Sequence, residues 1–191
     1  MNNYMKKIDE LLEKNMTKNC FSLWKLYKEK IPDIWNRPAS STSKYHKKEN
    51  DYVPTLAEHT YEMLFAFVEV LPAFTVPISS HCDSILLSII LHDACKYGEG
   101  EESTNPKRRP YTNRAHDKMI AEKIQRAQTN FLKVLNKKDF EVLVEAIRYH
   151  NGRWSVPKKE RDEFNFCNYQ PETLILHLLD MLSSRNVLKT K

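Results

Sequence analysis

Apolar residues recur along this chain at the three- and four-residue intervals of helices, and no stretch alternates convincingly in the two-residue rhythm of a strand. Ile8, Leu11 and Leu12 line one face over residues 4–15. Leu23, Trp24, Leu26, Tyr27 and Ile31 do the same over 20–31, where Pro32 stops the helix. Further helices are predicted over 56–71, ended by Pro72, and over 83–96, ended near Gly98. A helix over 113–132 would take Asn113 as N-cap, and one over 138–150 would bury Phe140, Leu143, Val144 and Ile147. The last, over 171–188, begins on Pro171 with Glu172 in its first turn, both favourable there. The result is an all-α single domain of about seven helices. Residues 36–55, 98–112 and 151–170 read as irregular. Loops as long as the first two are unusual in a compact domain, which makes them candidates for substrate contact.

Composition removes several function classes. The chain has 191 residues, 41% hydrophobic and 29% charged, the profile of one globular domain. Only three glycines occur, Gly98, Gly100 and Gly152, so a glycine-rich phosphate cradle or dinucleotide fingerprint is excluded. A phosphate-handling site would have to rely on cations instead. The net charge of +5 mildly favours anionic ligands without the basic stripe of a stable duplex binder. Cys20, Cys82, Cys95 and Cys167 form no C-x-x-C pair, which argues against a zinc ribbon or a thioredoxin-like site. The opening MNNYMKKIDELLEK is charged and amphipathic, with no apolar central region, and no stretch approaches the roughly 18 apolar residues of a membrane span. These features predict a reduced, cytoplasmic protein.

One set of polar residues stands out against this background. His59 in AEHT, His92 and Asp93 in LHDACKYG, His116 in RAHDKM, His150 in RYHNGRW and Asp180 in HLLDMLSSR each fall in or at the end of a different predicted helix. Imidazoles and carboxylates are ligands for divalent first-row ions, and a helical bundle can bring them to one interior point. Asp93 follows the apolar run 84–91, and a buried carboxylate without a counter-charge is very costly. There are two His-Asp dipeptides. His92-Asp93 closes an apolar helix, whereas His116-Asp117 opens a polar one. Asp117 is therefore read as a first-turn acid favourable to the helix dipole, with His116 turning inward alone.

The order H…HD…H…H…D, with these flanks, resembles the HD-domain superfamily of metal-dependent phosphohydrolases over about residues 37–188. Residues 1–36 are expected to add N-terminal helices packed on an HD domain of 37–191. PASSTSKYH ahead of AEHT, together with HDACK, YHNGRW and HLLDMLSSR, is most similar to a branch resembling the HD domains of certain 3′–5′ exoribonucleases and CRISPR-associated HD nucleases. The resemblance implies that His59, His92, Asp93 and Asp180 hold one divalent ion (Mn²⁺, Ni²⁺, Co²⁺, Fe²⁺ or Zn²⁺). Asp93 would bridge to a second ion on His116 and His150. Tyr149 stands where some two-metal relatives carry the first imidazole of a His-His pair, so one ion or two stays open. The implied activity is hydrolysis of a phosphoester in a nucleotide, cyclic nucleotide or short oligonucleotide, with phosphodiesters favoured. A nucleoside 5′-phosphatase or dNTP triphosphohydrolase is the alternative enzyme, and a non-catalytic nucleotide sensor the alternative of another class. Neither a stable duplex nucleic acid nor a membrane is an expected partner.

Other residues carry two readings each. Asp93 is expected to orient or deprotonate the attacking water. Lys96 shares its helical face and either neutralises a phosphate oxygen or is a surface cation at a helix end. Arg153 offers a bidentate phosphate contact, and Trp154 either stacks on a base or anchors its loop. Lys44 and His46 lie in the loop leading to the His59 helix and are substrate-contact candidates, His46 also as an extra ligand. His177 is expected to hydrogen-bond behind a ligand, and Lys107, Arg108 and Arg109 either steer an anion or are simply solvated. His81 and the cysteines take structural roles.

Overall fold

The computed structural model describes residues 3–31, 34–40, 52–74, 81–98 and 113–185. Among them are eight α-helices and no strand, only an isolated bridge between Pro38 and Thr55. The helices are α1 (Asn3–Asn15), α2 (Lys18–Lys30), α3 (Leu56–Phe65), α4 (Cys82–Leu91), α5 (His116–Arg126), α6 (Gln128–Phe131), α7 (Lys137–Tyr149) and α8 (Pro171–Ser184).

At the centre lies α4. Every residue from Ser84 to Leu91 is buried, so its two serines need internal acceptors. Ser84 Oγ donates to the Asp139 carbonyl and Ser88 Oγ to that of Ile85. Helices α3, α7 and α8 pack around it, and α5 lies on α7. Helix α7 buries Phe140, Leu143, Val144 and Ile147 as the pattern predicts, and Asn136 caps it by accepting from Asp139 N at 2.9 Å. Pro171 opens α8 as expected. The N-terminal hairpin joins the same buried cluster through Met5, Ile8, Leu12 and Trp24. Trp24 Nε1 donates to Asp9, while Thr17 N and Oγ both reach Asp83 at the start of α4. Leu26, on the predicted apolar face of α2, is 57% exposed.

Three helices differ from expectation. The helix expected over 83–96 ends at Leu91. Ala94, Lys96 and Gly98 then donate to the carbonyls three residues before them, so the chain tightens through successive turns before Gly98 closes it at φ 93°. The helix expected over 113–132 starts at His116 and breaks at Ala127. Asn113 builds the turn before α5 rather than capping it, accepting from Ala115 N through its side chain and from His116 N through its carbonyl. The helix over 56–71 passes at Ala66 into a π-turn and then a 3₁₀ turn over Leu71–Phe74, so Pro72 lies inside a turn instead of ending the helix. No described helix is long and apolar enough to cross a membrane.

Candidate metal centre

Five segments deliver the site. His59 comes from α3, His92 and Asp93 from the tightened end of α4, His116 from the first residue of α5, His150 from the end of α7, and Asp180 from α8. The histidine rings form a continuous cluster, with centroids 5.6 Å apart for His59 and His92, 4.9 Å for His92 and His150, and 5.2 Å for His116 and His150. Donor atoms of His59, His92 and Asp93 lie within 4.8 Å of one another, as do those of Asp93, His116 and His150. Asp93 belongs to both groups.

Local backbone sets the orientation of three rings. His92 Nδ1 faces the Ile89 carbonyl at 2.8 Å, His150 Nδ1 that of Ile147 at 2.7 Å, and His116 Nδ1 that of Asn113 at 2.7 Å. Helix ends leave carbonyls without intrahelical partners, and the imidazoles of His92 and His150, just past the ends of α4 and α7, each satisfy one, whereas His116 meets the carbonyl of the turn before α5. A carbonyl only accepts, so each Nδ1 carries the proton and each Nε2 the lone pair. Those lone pairs point inward. Nε2 of His92, Nε2 of His116 and Oδ1 of Asp93 are buried and make no hydrogen bond. His116 Nε2 and Asp93 Oδ1 nevertheless lie 3.0 Å apart, His59 Nε2 and Asp180 Oδ1 3.2 Å, and His92 Nε2 and Asp93 Oδ2 3.4 Å.

That spacing tests the fit of a divalent ion. Ligand atoms held at about 2.1 Å lie about 3.0 Å apart at a right angle and about 3.4 Å apart at the tetrahedral angle. Acceptor atoms facing one another at such distances repel unless a proton or a cation stands between them. The residues present therefore fit a metal, with nitrogen and carboxylate donors suited to first-row ions.

Lys96 is the fixed cation of the cluster. It is buried, and its ammonium pairs with Asp93 Oδ2, so the surface reading is set aside. The i→i+3 turn explains the contact, because residues three apart eclipse in such a turn. Burial opposes ionisation of Asp93, yet the Lys96 ammonium first, then His92 and His116 in their imidazolium forms, hold its carboxyl well below the ordinary range. Burial likewise works against Asp180, and the imidazolium form of His59, donating from Nε2, outweighs it, leaving that carboxyl low. Burial lowers His92, but Asp93 beside it brings the imidazole above its usual value. His150 is pushed down to about 3, first by burial and then by His92 and His116.

The remaining candidates scatter. Asp117 lies in the first turn of α5 as expected, but it is buried: Oδ1 accepts from Lys118 N, and Oδ2 has no hydrogen-bond partner. Arg153 sits on an exposed turn after His150 and pairs with Asp162 at 2.9 Å, not with a residue of the cluster. Trp154 is 63% exposed and does not anchor the loop; the guanidinium of Arg161 lies 4.6 Å from its ring centroid and that of Arg153 5.6 Å. His177 Nδ1 donates to the His150 carbonyl at 2.6 Å, bracing the backbone of a ligand candidate. Tyr149 packs against Tyr169 with ring centroids 4.5 Å apart. His81 pairs with Asp139, a structural contact. Burial raises the Cys20 and Cys82 thiols to about 12 and 11, as inert cysteines require. Lys44, His46, Lys107, Arg108 and Arg109 lie outside the described residues.

Sequence reasoning missed three participants. Ser183 Oγ lies 2.8 Å from His59 Nδ1 and also contacts Glu62, and Tyr97 donates its hydroxyl to the Pro38 carbonyl just beyond Lys96. Ser183 and Glu62 each stand three residues after a ligand candidate on one helix face, a spacing too common to single them out.

The family model of the HD domain matches residues 56–184, the span from the first residue of α3 to the last of α8. No curated protein and no solved structure matches the chain.

Proposed function

The chain belongs to the HD domain family, a superfamily of metal-dependent phosphohydrolases, and from that premise we propose that it hydrolyses a phosphoester of a nucleotide, cyclic nucleotide or short oligonucleotide. A phosphodiester is the favoured bond. The observation that carries this reading is the buried set of inward-facing acceptors around Asp93, with the imidazole protons of His92, His116 and His150 committed to backbone carbonyls. His59, His92, Asp93 and Asp180 would hold one ion, and Asp93, His116 and His150 a second. When bound, a divalent ion acidifies water and stabilises charge on phosphoryl oxygens.

The chain's own groups supply the rest. Asp93, with an oxygen toward each set of ligands, orients the attacking water or helps take its proton. Lys96 is placed to turn from Asp93 to a non-bridging phosphate oxygen, a charge-assisted hydrogen bond. Arg153 and Trp154 follow His150 closely in the chain and are proposed to meet the substrate outside the centre, with Lys44 and His46 from the loop before α3. For Trp154 to stack on a base, a guanidinium beside its ring must move. Hydrolysis is preferred over a nucleotide sensor because all six ligand candidates are present and five of them are buried.

The test combines elemental analysis of the purified protein with a screen of nucleotides, cyclic nucleotides and short oligonucleotides under added Mn²⁺, Ni²⁺, Co²⁺ or Fe²⁺. Bound metal and metal-dependent turnover are expected in the wild type, and both should be lost in Asp93→Ala with helix content retained. Wild-type protein that binds no metal and gains no activity from any of these ions refutes the proposal.

A further inference from the structure

His59 is held differently from the other three histidines of the cluster. Its Nδ1 lies 2.8 Å from the hydroxyl of Ser183, 124 residues away. Ser183 Oγ in turn donates to Glu62 Oε2 at 2.7 Å. Both helices use the same spacing: His59 and Glu62 are three apart on α3, and Asp180 and Ser183 three apart on α8. The four side chains run as a chain, Glu62 to Ser183 to His59 to Asp180. Glu62, Ser183 and His59 are each at most 1% exposed, so solvent does not compete for these contacts.

The direction of the protons follows from a count of donors. A hydroxyl has one proton and a carboxylate has none to give, so Ser183 donates to Glu62. Its oxygen then accepts from His59 Nδ1–H, and in the neutral ring the lone pair lies on Nε2, the atom facing Asp180. Charge on Glu62 polarises the hydroxyl and, through it, the imidazole.

We infer that Glu62 and Ser183 are positioning residues: they fix the Nδ1-protonated tautomer of His59 and strengthen Nε2 as a donor to a divalent ion. Helix α8 thus provides one ligand, Asp180, and aligns another. This inference rests on reading the cluster as a metal centre, and it assigns a role to two residues that touch neither metal nor substrate. Loss of such an outer partner typically lowers metal affinity about 10- to 100-fold.

The experiment follows the ¹⁵N resonances of labelled histidine in metal-free full-length protein, and Mn²⁺ affinity by competition with a chelating dye. In the wild type, His59 should show a protonated Nδ1 and an unprotonated Nε2. Ser183→Ala should change the His59 tautomer populations and weaken Mn²⁺ binding about 10- to 100-fold. Ser183→Thr, which keeps a hydroxyl, should restore both. Glu62→Gln, nearly the same shape without the charge, should weaken Mn²⁺ binding in the same direction and serves if Ser183→Ala does not fold. Unchanged His59 resonances and unchanged affinity in the folded variants overturn the relay, whatever the hydrolytic activity. If resonances and affinity move as stated but no phosphoester is hydrolysed, the enzymatic reading fails and the relay stands.

Discussion

Replacing Lys96 by Met tests the electrostatics of the site directly. In the metal-free protein the Lys96 ammonium pairs with Asp93, and both groups are buried. Removing one partner of a buried pair leaves an uncompensated charge and costs about 3–5 kcal/mol, whereas removing both with groups of similar shape costs much less. For a chain of this length each kcal/mol shifts Tm by about 2–4 °C, so Lys96→Met should lower it by about 6–20 °C. The assay is thermal and urea unfolding with a chelator at mildly alkaline pH, where His92 gives Asp93 the least help. Asp93→Asn should also destabilise, because it strands the ammonium. The double variant, Asp93→Asn with Lys96→Met, should be more stable than Lys96→Met alone. A divalent ion should then rescue Lys96→Met by a larger margin than it raises the wild type, since it replaces the missing charge beside Asp93. Losses that simply add in the double variant would refute the coupling and, with it, the view that Lys96 compensates Asp93.

Three further outcomes follow from the same geometry. Asp117→Asn should keep most hydrolytic activity while Asp93→Asn loses it, as steady-state assays on the metal-loaded proteins would show; equal loss in both would mean that the wrong dipeptide has been placed at the centre. Metal-free protein should lose stability in acid: His150 is depressed to about 3, so below its unfolded value near 6.5 the unfolded chain binds a proton that the fold does not, and stability falls by about 1.4 kcal/mol per pH unit until about pH 3. Asp93 and Asp180, also depressed, add to the loss once pH drops through the ordinary carboxylate range, and His92, raised, adds no slope below its unfolded value; a flat urea midpoint between neutral pH and the onset of carboxylate protonation contradicts this. Finally, Arg153→Ala should lower kcat/KM without releasing metal, roughly ten- to hundredfold for a lost charge-assisted phosphate contact, and unaltered kinetics would remove Arg153 from the substrate site.

The sequence exposes some layers of this protein more readily than others. Helix α7 was legible from its buried face of Phe140, Leu143, Val144 and Ile147, and α8 from its start at Pro171 with Glu172 in the first turn. The end of α4 was not, because apolar residues continue through Ala94, Cys95 and Tyr97, and periodicity cannot distinguish an α-helix from turns that tighten to i→i+3. The six ligand candidates could be proposed from their spread over separate predicted helices and from the resemblance to the HD domain, not from any one residue. Ser183 and Glu62 are common residue types whose contact spans 121 positions, and nothing local marks it. Burial of Asp117 and exposure of Trp154 escaped for a related reason: both depend on which neighbouring segments cover a residue, not on its own helix.

The ligand candidates are spread from His59 to Asp180, and the last of them stands on the final described helix. A ribosome making this chain releases α3, α4, α5 and α7 well before α8, so the set around His59 cannot be complete until synthesis has passed Asp180. A nascent chain offers separated imidazoles, which bind ions in the general order of first-row affinities with little discrimination. The finished fold instead presents donors at fixed spacing. On the proposed reading as a metal centre, the choice of ion is thereby deferred to a stage at which geometry, and not the order of arrival, decides which metal stays.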